Sequence, residues 1–198
     1  LGENRVQQLA QRVGQINEFL SRHKKLAGAV PKSLENCPTS VRWHMVGHLQ
    51  RNKVKPVIQQ VQLIHSVDSL RLAEEIHGFA SRADRVVDIL LQVNSSGEQS
   101  KFGIAAPAVS HLAEQIDTMI HLRLRGLMTM APHSDNPEDS RSTFARTAEV
   151  FHDIRNADIG GDHFNVLSMG MSGDYQVAIE EGANVVRIGR ALFGNEES

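Results

Sequence analysis

One cysteine, Cys37, is the whole thiol content of this 198-residue chain, so no disulfide can close within it. That fits a reducing compartment, and the cytoplasm is the expected location. No apolar run approaches the ~18 residues that a membrane helix needs. Neither sign of charge dominates: 21 Lys and Arg stand against 23 Asp and Glu, a formal net charge of −2. No Lys/Arg block forms an arm for nucleic acid. No G-x-G-x-x-G fingerprint occurs, and no fixed-length repeat of the solenoid kind. The chain opens Leu1-Gly2-Glu3-Asn4-Arg5, with neither a methionine nor a secretory leader pattern. That start reads as the interior of a longer protein. What is present is ordinary: 40% hydrophobic and 22% charged residues, with 15 Gly and 6 Pro. This suffices for a sizeable core and predicts one domain over residues 1–198.

Strand-like runs alternate with helical periods. Val6, Leu9, Val13, Ile16 and Leu20 recur at three or four residues and predict a helix over Val6–His23. A loop with Pro31 and Pro38 follows, then a strand at Val41–Val46. Leu49–Gln62 reads as a helix broken near Pro56. Leu63–Val67 reads as a strand, with Asp68 as N-cap of a helix over Ser69–Arg82. Val86–Val93 is β-branched and almost continuously apolar, as a strand buried on both faces is. Asn94–Gly103 reads as a polar loop, Ala106–Ile116 as a helix and Leu122–Thr129 as a strand. Ala131–Asp139 reads as a loop and Arg141–Asn156 as a helix. Phe164–Met169 and Val185–Ile188 read as strands, with helices over Asp174–Glu181 and from Arg190. Such alternation means parallel βαβ units. Their spacing suits a (β/α)8 TIM barrel. Six full strands and a stub at Leu1–Asn4 fall one short of eight, and the absent strand is expected to be the first.

Two turns carry the strongest chemical signal. Ser168-Met169-Gly170-Met171-Ser172-Gly173-Asp174 ends a strand in glycines and places Ser172 where a helix N-cap belongs. Val186-Arg187-Ile188-Gly189-Arg190 again runs from strand through glycine to helix start. Unpaired N–H groups at helix starts suit a phosphate, and barrels often build phosphate sites from their last two βα turns. Taken singly, Ser172 could be only a cap, and Gly170 and Gly189 only turn-formers; the pair together favours an anion. Arg187 interrupts an apolar strand. It reads either as a structural ion pair or as an arginine facing a cofactor. His44 and His48 are four apart across a strand and a turn, so they need not share a face, and no zinc-protease motif accompanies them. No metal site is expected. Gly170-Met171-Ser172-Gly173 lacks the spacing of a nucleophile elbow. Met128, Met130, Met169 and Met171 read as core, and Lys24-Lys25 as a solvated face.

At these segments the sequence resembles a known family. Gly2-Glu3-Asn4-Arg5, Trp43-His44-Met45-Val46-Gly47-His48-Leu49-Gln50-Arg51-Asn52-Lys53, His65-Ser66-Val67-Asp68-Ser69, Gln92-Val93-Asn94 and Ser100-Lys101-Phe102-Gly103 carry the likeness. So do Gly126-Leu127-Met128, Met169-Gly170-Met171-Ser172 and Val186-Arg187-Ile188-Gly189. In order and over nearly the whole chain, they resemble the pyridoxal phosphate homeostasis proteins, single-domain relatives of alanine racemase. The resemblance implies a racemase-type (β/α)8 barrel, here without its first strand, that binds pyridoxal 5′-phosphate (PLP). It implies that Ser172 and the backbone at Gly189 and Arg190 hold the phosphate, that Arg187 faces the pyridine nitrogen, and that Asn4, His48 and Met128 lie close to the cofactor. It implies a monomer with PLP-dependent apo-enzymes as partners and no catalytic residues.

One departure matters. The family's cofactor-bearing lysine ends the first strand in an Ala-Val-Ser-Lys-like segment. No such segment occurs here, and neither Lys32 nor Lys101 matches its position. That lysine is expected upstream of Leu1. Two other functions compete. A PLP-dependent amino-acid racemase needs an acid/base on each face of the substrate carbon, and its relatives take a tyrosine from a second domain; Tyr175 is the one tyrosine here. A sugar-phosphate barrel enzyme would place carboxylates or lysine at several strand ends; Asn94, Met128 and Ser168 stand there instead.

Overall fold

The protein is described by a computed structural model covering residues 1–25, 38–97 and 102–194. The expectations for Pro31, Lys32, Ser100, Lys101 and the Lys24-Lys25 side chains lie outside what it describes.

Eight strands form one parallel sheet: β1 (Gly2–Glu3), β2 (His44–Met45), β3 (Leu63–Val67), β4 (Val87–Asn94), β5 (Ile104–Ala105), β6 (Leu122–Thr129), β7 (Val166–Met171) and β8 (Val185–Arg187). The order is β1-β2-β3-β4-β6-β7-β8, with β5 a short side pairing on β4. Spatial order follows chain order with no reversal, which is barrel winding rather than a doubly wound sheet. The path ends at β1 and β8, which do not pair with each other among the described residues. Helices α1 (Val6–Lys25), α2 (Val54–Ile58), α3 (Leu70–Arg82), α4 (Val109–Asp117), α5 (Arg141–Asn156) and α6 (Tyr175–Glu180) lie in the crossovers, and α7 (Arg190–Phe193) follows β8.

Alternation along β4 separates two apolar layers. Ile89, Leu91 and Val93 belong to the large core, which also holds Leu9 of α1, Ile76 of α3, Ile116 of α4 and Phe144 of α5. Leu90 points the other way and meets Leu63, Met128 and Val166 inside the barrel. Truncating one of these buried side chains to alanine costs about 2–5 kcal/mol. In β6 the alternation slips at Gly126, where the register to β4 shifts. Gly126 has φ +146°, and a Cβ there would stand 1.8 Å from the Val166 carbonyl oxygen. Only glycine fits.

β3, β6, α5 and α7 match the bounds or start read from the sequence. Several expectations need correction. The strand expected over Val41–Val46 is two residues long, because β2 pairs only through His44 and Met45. The break in Leu49–Gln62 precedes Pro56: Arg51–Lys53 is a 3-10 turn, and Pro56 sits in the first turn of α2, where its missing N–H is harmless. β7 starts later than Phe164 and runs to Met171. The N-cap of α3 is Ser69, not Asp68; Asp68 instead accepts from the Ser69 hydroxyl and pairs with His48 at 3.4 Å. β5 was not anticipated; two residues are too few to carry a period.

Candidate functional site at the barrel mouth

The C-terminal ends of β7 and β8 bring the two glycine turns together. The N-cap of α6 is Asp174, not Ser172. Asp174 Oδ1 accepts from the Met171 N–H at 2.6 Å, and its Oδ2 from the Ser140 hydroxyl at 3.3 Å. This clamp shapes the turn that presents Ser172. The Ser172 hydroxyl oxygen accepts from the Ala191 N–H at 3.4 Å, so it lies at the start of the neighbouring helix α7 rather than its own. The two turns therefore meet through this one contact.

The two glycines differ. Gly170 has φ +87°, and a Cβ there would stand 2.6 Å from Ala178 Cβ; its role is structural. Gly189 has φ −115°, outside the left-handed region, and among the described residues a Cβ there would meet nothing within 4 Å. No close contact among the described residues demands glycine at 189, and open space lies beside it. Arg190 opens α7 and is exposed.

Arg187 has no carboxylate partner among the described residues. Its Nη1 donates to Ser168 O at 2.9 Å and Ser168 Oγ at 2.8 Å, and its Nη2 to Thr129 O at 2.7 Å. Thr129 Oγ1 in turn donates to Val93 O at 2.9 Å, tying β8 through β6 to β4. The ion-pair reading of Arg187 is therefore corrected: its acceptors are uncharged. Burial pushes its pKa down to about 10, opposed by the field of Asp174.

Sequence reasoning missed a buried polar line beside Arg187. His65 Nδ1 lies 3.1 Å from Ser168 Oγ, and His65 Nε2 lies 3.1 Å from His44 Nδ1. Burial, then His44, then Arg187 push the His65 pKa down to about 3. His44 is lowered too, chiefly by burial, with Arg42 acting in the same direction. The available signal was polarity at alternate positions of two apolar strands, His65 in β3 and Ser168 in β7.

The remaining expected residues join other contacts. His44 and His48 do not share a face: His48 stacks on Phe102, with ring centroids 4.1 Å apart, and pairs with Asp68. Asn4 is exposed at the end of β1, and its backbone oxygen presses on Gly47, where a Cβ would stand 2.0 Å away. Met128 is fully buried against Leu63, Leu90 and Val166. Met169 is also buried, but Met130 and Met171 are each 39% exposed, correcting their reading as core. They line a pocket of about 320 Å³ with Gln92, Asn94, Phe102 and His133. Among the described residues, no group of three or more His, Cys, Asp or Glu could hold a metal, and no helix is long and apolar enough to cross a membrane.

The winding order, with a mouth at the C-terminal ends of β7 and β8, is that of a β/α barrel, and comparisons with known proteins place it in the racemase class. Alanine racemase of Clostridium difficile 630 shares this fold with a TM-score of 0.66 at 14% identity, over 81% of this chain and 42% of that one. The family described as alanine racemase, N-terminal domain, matches residues 7–197. A pyridoxal phosphate homeostasis protein of Aquifex aeolicus is 40% identical over 197 residues, 99% of this chain and 76% of that relative. PipY of Synechococcus elongatus, solved with PLP bound, matches with a TM-score of 0.75 at 30% identity, over 98% of this chain and 80% of PipY. The chain belongs to the alanine racemase N-terminal domain family and, within it, to the pyridoxal phosphate homeostasis proteins.

Proposed function

We propose that this chain binds PLP at the mouth formed by β7 and β8 and serves PLP homeostasis. The observation that carries the reading is the meeting of two βα turns, Ser172 Oγ against the Ala191 N–H, beside the open side of Gly189. The first N–H groups of a helix have no partner within it, so those of Gly189 and Arg190 are available to phosphate oxygens together with the Ser172 hydroxyl. Arg187 then donates to the pyridine nitrogen. Asn4, His48 and Met128 are assigned to the surroundings of the cofactor, Met128 as part of the apolar floor. PLP supplies an electrophilic carbonyl and an electron-withdrawing ring. A cation at the ring nitrogen disfavours protonation there and makes the ring a poorer electron sink. That suits holding the cofactor better than turning substrates over.

Homeostasis rather than catalysis is supported by the names of the relatives and by the place of the tyrosine. The one tyrosine, Tyr175, begins α6 and packs where a Gly170 Cβ would lie. On this reading purified protein forms no D-alanine from L-alanine; sustained turnover at ~1–1,000 per second would overturn it. The reading extends to a single barrel unit acting as a monomer in the cytoplasm, with PLP-dependent apo-enzymes as recipients.

Equilibrium dialysis with PLP and pyridoxal tests the site. Ser172→Ala should weaken PLP several-fold, about 1 kcal/mol, and leave pyridoxal unchanged. Equal loss of both ligands, or of neither, would refute the phosphate assignment.

A further inference from the structure

Arginine only donates, and that one fact orders the buried line at the mouth. Arg187 Nη1 donates to Ser168 Oγ. A hydroxyl has one hydrogen to give. Ser168 is fully buried, and its other hydroxyl partner among the described residues is His65 Nδ1. The hydrogen therefore goes to Nδ1, which must be a lone pair. His65 then carries its proton on Nε2 and gives it to His44 Nδ1, again a lone pair. The opposite direction leaves the buried Ser168 hydrogen without an acceptor, which folded proteins avoid. The chain runs one way, Arg187 to Ser168 to His65 to His44, and both imidazoles are neutral. A proton on His65 Nδ1 would set two donors against the same serine and loosen the arginine.

The three bonds of Arg187 consume both Nη1 hydrogens and one on Nη2. Among the described residues the Nε hydrogen and the second Nη2 hydrogen remain for a ligand. We propose that His65 is a positioning residue for Arg187: acting through Ser168, it fixes where the arginine can meet the ring nitrogen of PLP. This rests on the reading that PLP is the ligand.

The test measures dissociation constants for PLP and for its 1-deaza analogue, in which carbon replaces the ring nitrogen. Wild type should prefer PLP. His65→Leu should weaken PLP about tenfold and leave the analogue unchanged, erasing the preference. Ser168→Ala, a smaller change should His65→Leu not fold, should do the same. His65→Asn, whose Oδ1 can take the Ser168 hydrogen, should restore the preference. If His65→Leu and Ser168→Ala keep the preference, or weaken both ligands equally, the positioning role is refuted. Nitrogen-15 NMR of ligand-free protein gives an independent reading: His65 should be neutral and protonated at Nε2, and Arg187→Met should disturb that tautomer. A proton on Nδ1 in the wild type would overturn the chain of donors. Failure of wild type to bind PLP would instead overturn the functional reading, whatever the tautomer.

Discussion

At the N-terminal end of the barrel, Asp88 takes two arginines, Arg125 at 2.7 Å and Arg123 at 3.4 Å. Arg125 spends its other donors on His163 O and Asn165 Oδ1. At the mouth, Arg187 takes no acid among the described residues and bonds to two carbonyls and a hydroxyl. Both ends place arginine on the inner side of a strand, but only one supplies the counter-charge. An uncompensated buried cation costs stability, and the drop of the Arg187 pKa to about 10 expresses that cost. The paired end behaves as structure, while the unpaired end has electrostatic work left for a ligand.

The glycines give the comparison its sharpest break. Gly126→Ala must move the Val166 carbonyl and strain a left-handed φ, and should destabilise by about 3–5 kcal/mol. Gly189→Val should leave the thermal midpoint of the free protein unchanged, because its Cβ enters open space, while weakening PLP. A lower midpoint with unchanged PLP affinity would assign Gly189 to the fold instead.

The arginines come next. Arg187→Met should weaken PLP roughly tenfold or more and leave the free protein as stable or more so. Asp88→Asn should do the reverse, costing about 1–2 kcal/mol of stability with PLP affinity intact. Thermal melting and dialysis on the two variants decide between the roles, and the same pattern in both would erase the distinction between the two ends.

Acid separates the ends more gently. His65 has its folded pKa depressed to about 3 from 6.5, so between those values the unfolded chain binds a proton that the folded chain refuses. Its contribution is fully present above about pH 6.5 and is lost as pH falls toward 3. His44 acts in the same direction. Denaturant unfolding from pH 7 to pH 4 should show this slope, and His65→Asn should flatten it. An unchanged slope would mean that His65 titrates normally.

The smallest expected signal is a missing one. Lys53 and Lys55 lie in the 3-10 turn and helix after β2, Lys55 exposed, and neither ends a strand. Borohydride reduction of this stretch loaded with PLP, followed by peptide mapping, should label neither of them, nor Lys101. A label on any of the three would overturn the expectation that this stretch carries no cofactor-bearing lysine.

Much of the fold was legible because period and burial agree locally. β3 and β6 repeat the expected limits, and α5 begins and ends where its apolar spacing does. The failures have physical causes. β2 shrank because neighbouring strands decide how far a strand is paired. Asp68 left its expected cap because His48, twenty positions earlier, competes for its carboxylate. Ser172 does not cap α6 beside it, because its hydroxyl oxygen takes the Ala191 N–H of α7 across the mouth.

By itself the sequence determined which residues are apolar at strand and helix spacing, hence the parallel β/α alternation, and where glycine and serine punctuate the last two turns. Tertiary structure alone decided what meets what. His65 and Ser168 touch across 103 positions, and Arg187 reaches Thr129 across 58. A period tells which face a side chain takes, but the curvature of the sheet and strand register choose its neighbour. Only that neighbour decides whether an arginine on a strand finds a carboxylate, as at Asp88, or carbonyls and a serine that in turn meets His65, as at the mouth.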